Sequence, residues 1–357
     1  MSTVLTPYLK KLVSNSEEFV ASDLTAAFSH IIDGSASELQ IGAFSTALRM
    51  KGLDHSSHII AAAASVLRGA ATTIDSDKVS KAGYVDIVGT GGDGQNTFNV
   101  STTSAIVAAG MGLHICKHGG KASTSSSGAG DLLTSLGIDM ANVNAENVPH
   151  IITQSNFCFL FAPVFHPVMA KLAPLRKGLG IPTIFNILGP SINPAPLKAR
   201  IIGVYAKELG LVFAEAVREL DMAQGRSDAQ ALVVWGNEGL DEISPTGNTT
   251  VWRLKGGNID TFTLHPSDFG LPTHPLSECG SGTPNENAVI VKKLVNNELE
   301  DGHPILDYVS MNAAALAVVE GTAGNWKEGV ELARKSISGG AAKKALEDFT
   351  KASNEKY

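Results

Sequence analysis

The sequence predicts an α/β protein: a small all-helical domain followed by a larger α/β domain on a central, mostly parallel sheet. Three observations carry this. Residues 1–72 show helical apolar periodicity and almost no strand signal. From residue 84 onward, β-branched runs alternate with helical segments, the pattern of a parallel sheet with crossover helices. The first of those runs ends in the glycine loop GTGGDG (89–94), and parallel sheets bind ligands beyond such strand ends. At 357 residues the chain can bury two domain cores or one large one.

Leu5, Leu9, Leu12 and Val13 share one helical face, and Leu24, Ala27, Phe28, Ile31 and Ile32 share another. Ser22 and Ser37 each precede an acidic residue and then an apolar run, as an N-cap does. Gly34, Gly52 and Gly69 fall where helices should stop, so four short helices are expected. The strand 84–88 and its glycine loop lead to a helix opened by Ser101, Thr102 and Thr103, then a strand at 113–116. Helices are expected at 128–136 and 145–154, a buried strand at 157–161, and a helix at 166–179. The segment 186–194, with Gly189-Pro190 and Asn193-Pro194, reads as a stiff non-helical turn of structural role. A strand at 199–205, a helix at 207–220 and a strand at 231–235 follow. Gly256-Gly257 between 251–254 and 260–264 suggests a hairpin. Helices are expected at 285–295, 305–320 and 326–337, with a charged, solvated end from Lys343. The serine-rich tract 123–127 reads as a mobile loop.

The formal charge of −7, with no long Lys/Arg cluster, argues against nucleic acid as a partner. The apolar run 59–67 is too short to span a bilayer, and no secretory signal is visible, so a soluble cytoplasmic protein is expected. Cys116, Cys158 and Cys279 are widely spaced and fit neither a disulfide framework nor a zinc site. Buried, inert thiols are the reading.

Glycines at a strand end let backbone N–H groups approach an anion, and a helix start adds positive potential. Gly89, Gly91 and Gly94 match the dinucleotide fingerprint by letter. Two features oppose that reading: residues 95–100 intervene before the helix, and the next strand ends in Lys117-His118 instead of an acid for a ribose diol. The Walker pattern also fails, because Ile115 and Ala122 stand where it needs Gly and Ser or Thr. Asp93 inside a phosphate loop would repel its ligand unless it binds a hydroxyl or a water on a divalent cation. Asp241-Glu242 can serve Mg²⁺ only on an irregular backbone, and from the residues alone a solvated acidic loop is the simpler reading. Arg176 has the planar fork for a small carboxylate, against an exposed helix arginine as the plain alternative. His166 before Pro167 reads as a helix-start residue, while His118 beside glycine is better placed to touch ligand.

The ordered set GTGGDG (89–94), NVST (99–102), KHG (117–119), SGAGDLLTSLG (127–137), FAPVFHPVM with APLRKGLGI (161–169, 173–181), FNILGPSINP (185–194) and DEISP (241–245) resembles the anthranilate phosphoribosyltransferase family over most of the chain. The resemblance implies the fold shared with pyrimidine nucleoside phosphorylases, with the active site at the hinge, usually as a homodimer. It implies a helical domain at 1–78, completed by a segment near 163–192, and an α/β domain at 79–162 and 193–357. The implied reaction moves phosphoribose from 5-phosphoribosyl diphosphate (PRPP) to the amine of anthranilate with Mg²⁺, two ions per site, early in tryptophan biosynthesis. Gly89, Gly92, Asp93, Thr97, Asn99, Val100, Ser101 and Thr102 would line PRPP. Lys117, Gly119, Gly120, Lys121, Ala122, Ser123, Thr124, Ser125 and Ala129 would hold its phosphates. Ser101, Asp241 and Glu242 would bind metal. Arg176 would face the anthranilate carboxylate, with Gly89, His118, Gly120 and His166 nearby. No strong general base is implied; His118 and His166 are the weak candidates.

Two positions depart from the family pattern: Gly120-Lys121 stands where many members carry Asn-Arg, and Phe165 where many carry Tyr. Rival readings are a pyrimidine nucleoside phosphorylase of the same fold and a non-catalytic nucleic-acid-binding relative.

Overall fold

The computed structural model describes residues 3–14, 18–122 and 125–357. The first part holds four α-helices among the described residues, Thr6–Val13, Ala21–Ile32, Glu38–Met50 and Ser57–Gly69. Their apolar stripes meet around Phe28 and Phe44. Ser37 caps the third helix, its side chain accepting the Gln40 N–H. Ser22 does not cap the second. That helix already starts at Ala21, and the Val20 N–H donates to the Asp23 carboxylate at 3.1 Å. An acid three residues on thus satisfies the N-cap residue's own N–H, and no serine side chain caps the helix.

Seven strands form one sheet: β1 (Tyr84–Gly89), β2 (Ile115–Gly119), β3 (Phe157–Phe161), β4 (Leu197–Gly203), β5 (Gln230–Gly236), β6 (Thr249–Lys255) and β7 (Asn258–Leu264), in the order β3-β2-β1-β4-β5-β6-β7. β1 to β5 are parallel, and β6 and β7 add an antiparallel hairpin. Gly256 and Gly257 turn that hairpin with φ of +56° and +76°, conformations that glycine adopts without a Cβ penalty. The chain winds outward from β1 to β3, then returns to β1's other side at β4. Order therefore reverses at β1, where parallel sheets open a ligand crevice.

Alternation along the strands sorts two cores. Ile201, Leu232 and Val234 face the helices Val100–Gly110 and Pro304–Glu320. Ile202, Val204, Ala231 and Val233 face the helix Leu209–Ala223, which packs on the N-terminal helices. The short helices Pro167–Lys171, Ala173–Leu179 and Ile184–Ile187 lie on that second side, Phe185 stacking on Phe28 at 5.3 Å.

Several boundaries differ from expectation. β2 runs to Gly119 instead of stopping at Cys116, because Lys117 and His118 stay in the strand and are buried there. The expected helix 166–179 is broken at Leu172, between Pro167–Lys171 and Ala173–Leu179. The segment 186–194 contains helical turns, Ile184–Ile187 and Gly189–Ser191; Pro190 sits in the first turn of the latter, where no N–H is required. The charged C-terminus is not a solvated tail but a helix, Ala341–Asn354, burying Ala345, Leu346 and Phe349 along one stripe. All three cysteines are buried and free. Among the described residues no helix is long and apolar enough to cross a membrane.

Candidate active site at the carboxyl edge of the sheet

β1 ends at Gly89 for a steric reason: a Cβ there would lie 2.2 Å from Asp241 Oδ2. Its absence lets Asp241 reach under the loop and accept the Gly91 N–H at 2.7 Å. Asp93 accepts the Gln95 N–H at 3.1 Å and faces the Asp241 N–H with its other oxygen at 3.4 Å. Downstream, Asn96 accepts the Ser126 N–H on its side chain and the Ser281 N–H on its carbonyl. Asn99 donates to the Ser127 carbonyl at 2.8 Å and accepts from both Ser127 Oγ and Asn287 Nδ2. The 95–99 stretch is thus bracketed by partners from distant loops. Ser126 and Ser127 are tied down by these bonds, contrary to the mobile loop expected there. Ser123 and Thr124 lie outside the described residues.

At the end of β2, Lys117 is 2 % exposed and donates from Nζ to the Ile87 carbonyl. Burial lowers its pKa, while Asp86, Glu242 and Asp241 act to raise it. Asp86, 0 % exposed, accepts the His118 N–H at 3.2 Å and Asn193 Nδ2 at 2.7 Å. Asn193 also donates to the Cys116 carbonyl, so this one amide fastens the 189–193 turn to both β1 and β2. His118 Nδ1 lies 3.2 Å from the Gly189 carbonyl, which can only accept, so Nδ1 carries the proton. The His118 and His166 rings meet edge-on at 5.1 Å, and the Nε2 of each is buried without a partner. Burial, then the like charge of His166, pushes His118 down to about 3; burial pushes His166 down to about 4. Both are neutral at pH 7.

Asp241 and Glu242 are 9 % and 8 % exposed, so the solvated acidic loop is not what forms. They sit in an irregular segment after β5, which frees them from strand alternation. Burial, then Asp93, pushes Asp241 up to about 7. Burial, then Asp241, holds Glu242 well above the carboxylate range, with Lys117 and a Ser101 hydrogen bond opposing. Two desolvated carboxylates with so little positive charge beside them fit a divalent cation. Among the described residues no three His, Cys, Asp or Glu side chains form a complete metal cage. That suits Mg²⁺, which takes one or two carboxylates and completes its shell with hydroxyl, water and phosphate oxygens.

These groups line one cavity of about 290 Å³. It takes in Gly89, Gly92, Asp93, Thr97, Asn99, Val100, Ser101, Thr102, Lys117, His118, Gly119, Gly120, Lys121, Ala122, Ser125, Ala129, Asp241 and Glu242. His166 and Arg176 do not line it. His166 stands behind His118. Arg176 is half-buried on the Ala173–Leu179 helix; its Nε has no partner, and burial lowers its pKa. Phe165 is buried, and its carbonyl accepts the Thr72 N–H. Sequence reasoning missed Asp86, Asn193, Ser127 and Asn287. Only Asp86 left a signal, as a lone charge inside an apolar strand.

Comparison with known proteins covers nearly the whole chain. Residues 81–343 match the glycosyl transferase family, a/b domain, and residues 6–71 match the glycosyl transferase family, helical bundle domain. Anthranilate phosphoribosyltransferase of Schizosaccharomyces pombe is 48 % identical over 92 % of this chain and 92 % of its own. Among solved structures, anthranilate phosphoribosyltransferase from Saccharomyces cerevisiae in complex with PRPP and Mg superposes with a TM-score of 0.91 at 42 % identity, covering 99 % of this chain and 98 % of that one. The same yeast protein in complex with 4-fluoroanthranilate gives a TM-score of 0.90 at 40 % identity, with the same coverage.

Proposed function

The chain belongs to the anthranilate phosphoribosyltransferase family, and from that premise we propose how its own residues carry out the reaction. The enzyme transfers phosphoribose from PRPP to the amine of anthranilate, giving N-(5-phosphoribosyl)anthranilate and pyrophosphate, in tryptophan biosynthesis. The observation that supports the residue roles best is the pairing of a glycine-lined anion cradle with two desolvated carboxylates across from it.

In this reading the amides of the 89–94 loop and the start of the Val100–Gly110 helix bind the diphosphate, with Thr97, Asn99, Ser101 and Thr102 on its oxygens. Lys117, Lys121 and the small residues 119–125 take the 5-phosphate side, with Ala129 at the next helix start. Ser101, Asp241 and Glu242 hold Mg²⁺, two ions per site, and bound Mg²⁺ supplies charge neutralisation for the departing pyrophosphate. Lys117, held beside Asp86, keeps positive charge on the 5-phosphate side. The aryl amine is uncharged at pH 7, so positioning matters more than a base. Neutral His118 and His166 offer Nε2 lone pairs, and Arg176 takes the anthranilate carboxylate. Gly120 leaves room for the ring, with no atom within 4 Å of where its Cβ would stand, while Gly89, whose Cβ space Asp241 fills, would meet the ring only through its backbone.

We assign residues 1–78 with 163–192 to one domain and 79–162 with 193–357 to the other. We also expect a cytoplasmic homodimer; Val13, Leu39 and Met50 are exposed apolar residues on the N-terminal helices. The deciding experiment follows anthranilate fluorescence with PRPP and Mg²⁺. Loss of signal that needs all three components is expected; folded protein giving no PRPP-dependent loss would sink the assignment. Chelation of Mg²⁺ should stop turnover and its re-addition restore it.

A further inference from the structure

A second cavity, of about 430 Å³, lies where the chain passes between its helical and α/β parts. It shares no lining residue with the active site. Arg68, in the last turn of the Ser57–Gly69 helix, reaches it from the helical side. Lys81, just before β1, and Arg226, after the Leu209–Ala223 helix, reach it from the sheet side. Pro194 and Pro196, on the return crossing into β4, complete the wall.

The charges here do not balance locally. Asp221, buried, accepts from Arg200 at 2.6 Å and, on the same oxygen, from Arg226 at 3.4 Å. One carboxylate therefore serves two guanidiniums. Arg226 turns its shorter bond, 2.6 Å, to neutral Gln224. Arg68 has no carboxylate within ion-pair distance among the described residues. Burial, then Arg226 and Arg200, pushes Arg68 down to about 10, with Asp221 the one opposing charge. Nε of Arg200 and Nε of Arg226 are buried without partners. Asp77, on the exposed linker, is the acidic residue in the lining, and Asp228 acts on Arg226 from outside it.

We propose that this hinge cavity is a binding site for a phosphate-class oxyanion, held by Arg68, Arg226 and Lys81. A tetrahedral dianion offers several acceptor oxygens to planar guanidinium forks and supplies the negative charge that the cluster lacks. Because Arg68 belongs to one side of the hinge and Arg226 and Lys81 to the other, the anion ties the two together.

The test uses inorganic phosphate as probe, with chloride at equal ionic strength as control, on the full chain and on Arg68→Gln and Lys81→Gln. Phosphate in the active-site cradle is common to all three proteins and cancels in the comparison. The wild type should gain roughly 2 °C more in melting midpoint than either variant at about ten times the site's Kd. Crystals soaked in tungstate should show anomalous density between Arg68 and Arg226. Equal phosphate shifts in all three proteins overturn the proposal, as does a shift reproduced by chloride. Tungstate density without a solution difference means an adventitious ion only, and overturns it too. Should Arg68→Gln fold poorly, Lys81→Gln, which changes an exposed side chain, still decides the matter.

Discussion

His118 and His166 are held neutral by burial, and this makes stability depend on pH in a definite direction. Their folded values, about 3 and about 4, lie below the unfolded value of about 6.5. The contribution of each is therefore fully present above that unfolded value and is lost as pH falls toward the folded ones. Each histidine should remove about 1.4 kcal/mol of unfolding free energy per pH unit in that window. Urea titrations at a series of pH values should give a slope shallower by that amount in His118→Gln, and an unchanged slope would mean the ring is solvated. Asp86 lies beneath the same histidine and works differently. Asp86→Ala leaves one hydrogen of Asn193 Nδ2 and the His118 N–H without an acceptor, in a buried site. The expected loss is about 3 kcal/mol of stability by denaturant unfolding, with Asp86→Asn losing less because one acceptor oxygen remains.

At the scale of elements, the C-terminal helix shows how a sequence can hide structure. Lys343, Lys344, Glu347, Asp348 and Lys351 dominate its composition and suggest a solvated tail. The apolar residues between them recur at three- and four-residue steps, and that stripe buries Phe349 edge-on against Phe157 of β3 at 5.1 Å. Phe349→Ala should therefore cost about 3–5 kcal/mol in denaturant unfolding, with kcat little changed in the protein that remains folded. A loss within ~0.5 kcal/mol, the surface range, would restore the tail reading. β2 was obscured for a related reason: apolar pattern ends at Cys116, whereas Lys117 and His118 remain in the strand through partners on β1 and the 189–193 turn. Apolar runs made β1, β3, β4 and β5 legible, because their burial is apolar and local pattern reports it, whereas the largely exposed β7 was legible from the Gly256-Gly257 turn. The cradle's glycines and the Asp241-Glu242 pair were legible as types. Their convergence came only through the family resemblance and not from the residues themselves, since 150 residues separate Gly91 from Asp241. Gly89 is where that convergence can be tested. Gly89→Ala pushes Asp241 off the loop, so Mg²⁺-dependent PRPP binding should weaken by about tenfold or more, a loss the size of one charge-assisted hydrogen bond. Unaltered affinity by calorimetry would show that Asp241 does not need that approach.

At the scale of the whole molecule, the proposed recognition is split between two groups of elements. The anion cradle belongs to the carboxyl edge of the sheet, fixed by β1, β2 and the loops around Asn99 and Asp241. Arg176 belongs to the 167–187 helices, which share a core with the N-terminal bundle, the Leu209–Ala223 helix and one face of the sheet. Asn193 and Gly189 join the two, one held by Asp86 and the other by His118. On the proposed reading one substrate is gripped by Arg176 and the other by the cradle, on separate elements, so each grip can be weakened without the other. Arg176→Ala removes a charged hydrogen-bond partner for anthranilate and leaves the cradle intact. KM for anthranilate should rise by about tenfold or more, on the usual worth of a hydrogen bond to a charged group. KM for PRPP should change by less than about twofold, because the lost interaction lies outside its site. Steady-state kinetics with each substrate varied in turn separates the two. Equal changes in both would mean that Arg176 does not grip the aromatic acid.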